Sequence, residues 1–130
     1  MADLVGVGTD VVDVARIERL VSRGGRRFLE RWFRTAEIDY CLSGARAVRV
    51  AALLAAKEAA VKSLGAPGEG PVPWKQIEVT HDPATGLRLH GSMYVWAVSA
   101  GGLTFHVTTA HTPDLAMATV IALRSGQTPA

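Results

Sequence analysis

The chain holds a single cysteine, Cys41, and it lacks any long apolar run, low-complexity segment or internal repeat. Each absence excludes a class. One thiol forms no intramolecular disulfide and no cysteine-cluster metal site, which fits a reducing compartment. Without an apolar stretch of about 20 residues there is no signal for a membrane-spanning helix. Hydrophobic residues at 48% and charged residues at 20% suit a soluble globular protein better than a disordered one. The N-terminus shows no basic segment followed by an apolar run and a small-residue cleavage site, so a cytoplasmic address is expected. The 130 residues fit one domain with its own core, which we place at 1–124, with 125–130 as a flexible tail.

What is present is unevenly distributed. The net charge is only +2, yet nine of the fourteen basic residues are arginines between Arg16 and Arg49. From Arg16 to Arg34 there are seven arginines against Glu18 and Glu30, a local excess of five. A stripe this basic calls for an acidic macromolecular partner, and both nucleic acid and an acidic protein qualify.

The β-branched run Leu4–Val12 predicts a buried strand, interrupted by two glycines and Asp10, which places Asp10 at or near a strand end. Val14, Ile17, Leu20 and Val21 recur at helical spacing, so an amphipathic helix is expected from Asp13 to about Arg23, closed by Gly24-Gly25, with Arg16, Arg19 and Arg23 on its other side. A further helical turn or two over "RRFLERWF" and a short helix over "RTAEIDYCLSG" follow, the latter with Thr35 as N-cap and Gly44 as stop. A long helix is predicted over 47–64, ended by Gly65 and the prolines beyond, with 66–73 as a loop. "KQIEVTHD" and "LRLHG" read as a hairpin, "SMYVWAVSA" as a helix ending at Gly101-Gly102, and "LTFHVTTAH" and "LAMATVIAL" as two strands around Thr112-Pro113-Asp114. Long helices mixed with hairpins indicate an α+β fold.

The long helix carries an unusual pattern. Stepping about 100° per residue puts Val50, Leu53, Leu54, Val61 and Leu64 in one apolar stripe. Lys57 falls inside that stripe and Glu58 on its edge, while the opposite face is Ala52, Ala56, Ala59 and Ser63. Glu58 and Lys62 match the i, i+4 ion pair of many surface helices. Lys57 must snorkel, pair or meet a ligand. A carboxylate and two ammonium groups on an otherwise uncharged helix also suit a site for phosphate and a divalent cation, since carboxylates supply hard oxygen ligands and lysines neutralise phosphoryl oxygens. Such a site needs a second carboxylate, and Asp10 is the best candidate. The glycines of "GVGTD" match neither a phosphate loop ending in Gly-Lys-Ser/Thr nor a full GxGxxG.

Three segments taken together, "GVGTDVVDVARIE", "AAKEAAVKSLG" and "HVTTAHTPDLAMATVIAL", resemble the holo-acyl carrier protein synthases, the small trimeric class of 4'-phosphopantetheinyl transferases. "FRTAEIDYC" is a weaker match to the family's Phe-Thr-x-x-Glu stretch, and the resemblance runs from Val5 to Leu123. It implies the family's fold, an antiparallel sheet packed on a long helix, in a homotrimer with active sites between subunits. It also implies transfer of 4'-phosphopantetheine from coenzyme A to a serine of an acyl carrier protein, with release of adenosine 3',5'-bisphosphate. By the same resemblance Asp10 and Glu58 hold Mg²⁺, Glu58, directly or through a metal-bound water, is the base for the serine proton, and Lys62 stabilises or protonates the departing phosphate. Lys57, Lys62, Gly65 and His111 lie near coenzyme A, although His111 read alone is an ordinary loop histidine. Arg16, Leu20, Arg23, Arg26, Arg27 and Phe28 match positions that meet the acidic recognition helix of the carrier.

The sequence departs from the family pattern in places. Leu53 and Leu54 stand where an arginine and an aromatic residue are usual, Arg34 where the threonine is, Leu87 where a proline is, and Thr108 and Ala110 where serines are. These changes bear on nucleotide affinity and carrier choice, and a role in a specialised, polyketide-type pathway is compatible with them. Two other functions remain open: a catalytically impaired homologue that only binds carrier protein or coenzyme A, and a nucleic-acid-binding module using the arginine stripe, which lacks the aromatic platform of single-strand binders.

Overall fold

Alternation of side chains along the N-terminal run makes strand β1 (Asp3–Asp13), but only one of its faces is covered, so the expectation of a buried strand holds for that face and is corrected for the other. In the computed structural model, which describes residues 3–65 and 70–125, β1 pairs antiparallel with β5 (Leu115–Arg124), which pairs in turn with β4 (Leu103–His111). Ala116, Ala118, Val120 and Ala122 of the central strand are buried on one face. Against that face lies the long helix α3 (Arg46–Ser63), within a residue of its expected bounds.

Helix α1 (Val14–Trp32) begins where the Asp13 carboxylate accepts hydrogen bonds from the Ala15 and Arg16 N–H groups, at 2.9 and 3.3 Å. The expected stop at Gly24-Gly25 is a break instead. Gly25 takes φ 55° and ψ −142°, and the helix resumes beyond it, carrying buried Leu29 into the core. Helix α2 (Thr35–Leu42) is capped at Arg34 and not at Thr35: the Arg34 N–H donates to Glu37 Oε1 at 2.9 Å, so the carboxylate of the third helical residue reaches back to the N-cap backbone.

The predicted hairpin forms from β2 (Ile77–Thr80) and β3 (Gly86–Leu89), entered through a single 3₁₀ turn at Trp74–Gln76. Helix α4 (Gly91–Ser99) precedes β4 as expected. Val14, Ile17 and Val21 of α1, Phe33, Ile38 and Cys41, Val50, Leu53 and Leu54 of α3, and Ile77 of β2 share one core with Ala116, Ala118 and Val120 of the central strand. Residues 66–69 of the expected loop, and the expected tail apart from Ser125, lie outside the described residues. No helix among the described residues is long and apolar enough to cross a membrane.

The alanine face of α3 is not solvated. A Cβ on Gly8 would lie 2.8 Å from the Ala59 carbonyl carbon and from Ser63 N, and one on Gly6 would lie 3.1 Å from the Ser63 carbonyl carbon. The two glycines of "GVGTD" therefore serve close approach of strand backbone to helix backbone. That approach brings the end of β1 and the last turns of α3 within side-chain reach of each other.

Candidate active site

Asp10 pairs with Ala118 in the sheet, so its side chain emerges on the face that α3 covers. Lys62 reaches across from the last turn of α3. Its Nζ donates to Asp10 Oδ1 at 2.9 Å and to the Thr9 carbonyl at 3.1 Å. Lys62 thus bonds to the strand and not to Glu58 within its own helix, which corrects the i, i+4 reading; Glu58 acts on it only through charge.

Glu58 lies one turn before Lys62 and within hydrogen-bonding reach of Asp10. That hydrogen bond, then burial, then the Asp10 charge push the Glu58 carboxyl up to about 7, against the pull of Lys62 and Arg16. Burial works to raise Asp10 as well, but the bond from Glu58, the bond and charge of Lys62, and the Val11 N–H together hold it below the usual carboxylate range. Two carboxylates side by side favour keeping one proton on Glu58 near neutral pH, because ionising both places like charges in contact. With both carboxylates ionised, Asp10 Oδ2 is buried without a hydrogen-bond donor. An orphaned carboxylate oxygen beside a second carboxylate is the donor set of a hard cation that takes its remaining ligands from water or substrate, so the residues fit Mg²⁺. A phosphate brought to this cation would meet the Lys62 ammonium, which is half exposed.

Lys57 does not join this cluster, and its placement beside a nucleotide is corrected. It is completely buried, and Nζ donates to the Trp32 carbonyl at 2.8 Å, to Glu37 Oε1 at 2.9 Å and to the Trp74 carbonyl at 2.9 Å. Burial draws the ammonium below an ordinary lysine and Glu37 opposes that. All three donors of the charged form are used, so nothing is left for a ligand. Of the three options for a lysine in an apolar stripe, this one pairs. Leu53 and Leu54 are also core residues, 2% and 5% exposed, and present nothing to a ligand.

Gly65 follows α3 with φ 80°, a conformation that suits glycine at a helix end, and its N–H donates to the Lys62 carbonyl at 3.3 Å. His111 is exposed at the last position of β4, opposite Ala116, and β5 separates its strand from the one carrying Asp10. Within one chain, no hydrogen bond among the described residues joins it to the carboxylate pair.

The six residues expected to meet a carrier protein lie along α1 but do not form one patch. Leu20, Arg23, Arg27 and Phe28 line a hollow of about 390 Å³ at the glycine break, together with Arg31. Arg26 turns aside into an i, i+4 pair with Glu30 at 3.0 Å. Arg16, in the first turn, acts electrostatically on Glu58. Sequence reasoning counted Arg31 in the basic stripe without assigning it a site, and it missed Glu37 and the Thr9 carbonyl. Only the match to Phe-Thr-x-x-Glu pointed to Glu37.

A family model described as the 4'-phosphopantetheinyl transferase superfamily matches residues 6–120. The chain is 42% identical over 121 residues to the holo-[acyl-carrier-protein] synthase of Koribacter versatilis, covering 91% of this chain and 97% of that one. Its fold is similar to the crystal structure of the Neisseria meningitidis holo-[acyl-carrier-protein] synthase, with a TM-score of 0.82 and 26% identity over 92% of this chain and 98% of that one. It is also similar to the Bacillus anthracis enzyme solved in complex with CoA (3',5'-ADP), with a TM-score of 0.74 and 25% identity over 94% and 98% of the two chains.

Proposed function

The chain belongs to the 4'-phosphopantetheinyl transferase superfamily, as a holo-acyl carrier protein synthase, and from that premise we propose how its residues carry out the transfer. The observation that carries the reading is the contact of Asp10, Glu58 and Lys62 across β1 and α3. The substrate is coenzyme A, and the acceptor is a serine hydroxyl of an acyl carrier protein.

In this reading Asp10 and Glu58 hold Mg²⁺, which when bound neutralises charge on the pyrophosphate of coenzyme A. The Glu58 carboxylate takes the proton of the serine hydroxyl, directly or through an intervening water, from its place at the edge of α3 beside Asp10. The serine oxygen forms a bond to the β-phosphorus, and the bond from that phosphorus to the bridging oxygen breaks. Lys62 stabilises or protonates the departing phosphate of adenosine 3',5'-bisphosphate, while its bonds to Asp10 and the Thr9 carbonyl keep it in place. Gly65 and His111 remain candidates for contacts with coenzyme A, His111 from a neighbouring subunit.

The hollow lined by Leu20, Arg23, Arg27, Phe28 and Arg31 is the docking surface for the acidic carrier, with Arg16 at its catalytic end. The test is incubation with coenzyme A, Mg²⁺ and apo carrier proteins of fatty-acid and polyketide-type pathways. Mass spectrometry should show one added phosphopantetheine on at least one of them. Binding of carrier or coenzyme A without modification would select the impaired homologue instead. A cytoplasmic address belongs to the same proposal.

The pH dependence of cation binding follows from the raised carboxyl. Below pH 7 a proton occupies Glu58 and competes with Mg²⁺; above it both carboxylates are free. Calorimetry is expected to show Mg²⁺ affinity about tenfold tighter at pH 8 than at pH 6, with proton release at the lower pH. In the cation-free protein the sign is opposite for stability. The folded state holds a proton that the unfolded chain has lost, so stability falls as pH rises from the ordinary carboxylate range through about 7.

The outward face of the three-stranded sheet supports the homotrimer. Val7, Val11, Leu115 and Met117 are exposed there, and Val11 lies opposite Met117. Met117→Asp places a charge in that face, and sedimentation should show a shift to monomer with loss of transfer. An unchanged oligomer would place the subunit contact elsewhere.

A further inference from the structure

We propose that the buried Lys57–Glu37 pair is a positioning element for the transfer reaction: it sets the rotation of α3 that turns Glu58 and Lys62 onto Asp10. The inference rests on reading that cluster as the transfer site.

On its sheet side α3 is smooth. Ala59 and Ser63 meet Gly6 and Gly8 backbone to backbone, and Ala56 and Ala60 beside them are buried too. Small residues permit this approach, but they raise no ridges to interlock with the strand, so the contact fixes separation better than rotation. Directional bonds lie on another flank. Lys57 Nζ donates to the end of α1 at Trp32, to α2 at Glu37 and to the 3₁₀ turn at Trp74. Glu37 is itself held twice more: Oε1 accepts the N–H of Arg34, the N-cap of its own helix, at 2.9 Å, and Oε2 accepts the Val79 N–H of β2 at 3.0 Å. Every strong donor and acceptor of the pair is occupied, so Lys57 ties α3 directly to three neighbouring segments and, through Glu37, to β2.

Glu58 and Lys62 follow Lys57 by one and five positions, about 100° and 140° round the helix. A rotation that relaxes the Lys57 bonds carries both with it. A turn of about 20° at a radius of about 6 Å moves the Glu58 carboxylate by about 2 Å. Displacements of that size cost on the order of a hundredfold in rate. The pair touches no substrate atom; its effect on the reaction runs through Glu58 and Lys62.

Lys57→Met alone strands the Glu37 carboxylate in the core and is expected to destabilise the fold for that reason. The informative variant is therefore Lys57→Met with Glu37→Gln, which removes both charges and keeps the volume. It is expected to be folded by circular dichroism, with kcat on an apo fatty-acid carrier protein and Mg²⁺ affinity each reduced at least about tenfold. A core control, Ile77→Val, should lower the melting midpoint without altering kcat well below that midpoint. A smaller loss in the folded double variant, or a loss matched by Ile77→Val, overturns the proposal. Should the double variant fail to fold, Glu37→Gln alone, which keeps an acceptor oxygen for Lys57, is judged by the same criterion. Were the parent itself to modify no carrier, the transfer reading would fail, and Mg²⁺ affinity in these variants would still test whether the pair turns Glu58 toward Asp10.

Discussion

Glu58→Gln is expected to abolish carrier modification, with kcat lowered by about a thousandfold or more, while the protein stays folded. Two losses combine. A neutral amide does not accept the serine proton, a contribution of about 10²- to 10⁴-fold on its own. It is also a weaker ligand than a carboxylate, which leaves Asp10 as the only anionic ligand of the cation site. The expected stability change has the opposite sign. The amide matches the carboxyl in volume and relieves the like-charge contact that raises Glu58 to about 7, so at pH 8 without divalent cation the melting midpoint should be equal to or above the parent's. Activity and thermal unfolding measured on one preparation separate this from simple misfolding. Residual transfer within tenfold of the parent would remove Glu58 from the chemistry.

The largest structural effect is expected at Gly8. Alanine there places a methyl group inside contact distance of the Ala59 carbonyl and 2.8 Å from Ser63 N, and backbone atoms do not move aside as a flexible side chain does. Strand β1 and α3 must separate. Overpacking of this kind costs about 1 to 3 kcal/mol, and a clash of backbone with backbone belongs at the upper end. Denaturant titration should show the midpoint lowered with an unchanged slope. Transfer should fall as well, because Asp10 is two residues along the displaced strand and its bond to Lys62 spans the same contact. A midpoint equal to the parent's would mean that strand and helix are not held this close.

Much of the architecture was legible because its signals are local. The apolar stripe of α3, the turn residues between β2 and β3, and the Thr112-Pro113-Asp114 turn each act within a few residues, and those elements formed where expected. Expectations failed where a distant contact outweighed a local preference. Two glycines favour a stop after Arg23, yet burial of Leu29 and Phe33 rewards continuing the helix past a single left-handed residue. Thr35 is a good cap by type, but Glu37 reaches the preceding N–H and shifts the start by one residue. One face of β1 is open because a three-stranded sheet with a helix on one side covers only that side.

The sequence by itself determined the class of fold and the family, and it singled out Asp10, Lys57, Glu58 and Lys62 as candidates, since periodicity and motif spacing are properties of the chain alone. It left open which charges meet, because pairing depends on separations of 20 residues for Lys57 with Glu37 and 52 for Lys62 with Asp10. Only the tertiary structure decided that. The two lysines of one helix, alike in charge and five positions apart, went to opposite fates because the helix buries one flank in the core and leaves the other at the edge of the sheet. There Lys62 meets Asp10 beside Glu58, in the place where the proposed cation would bind.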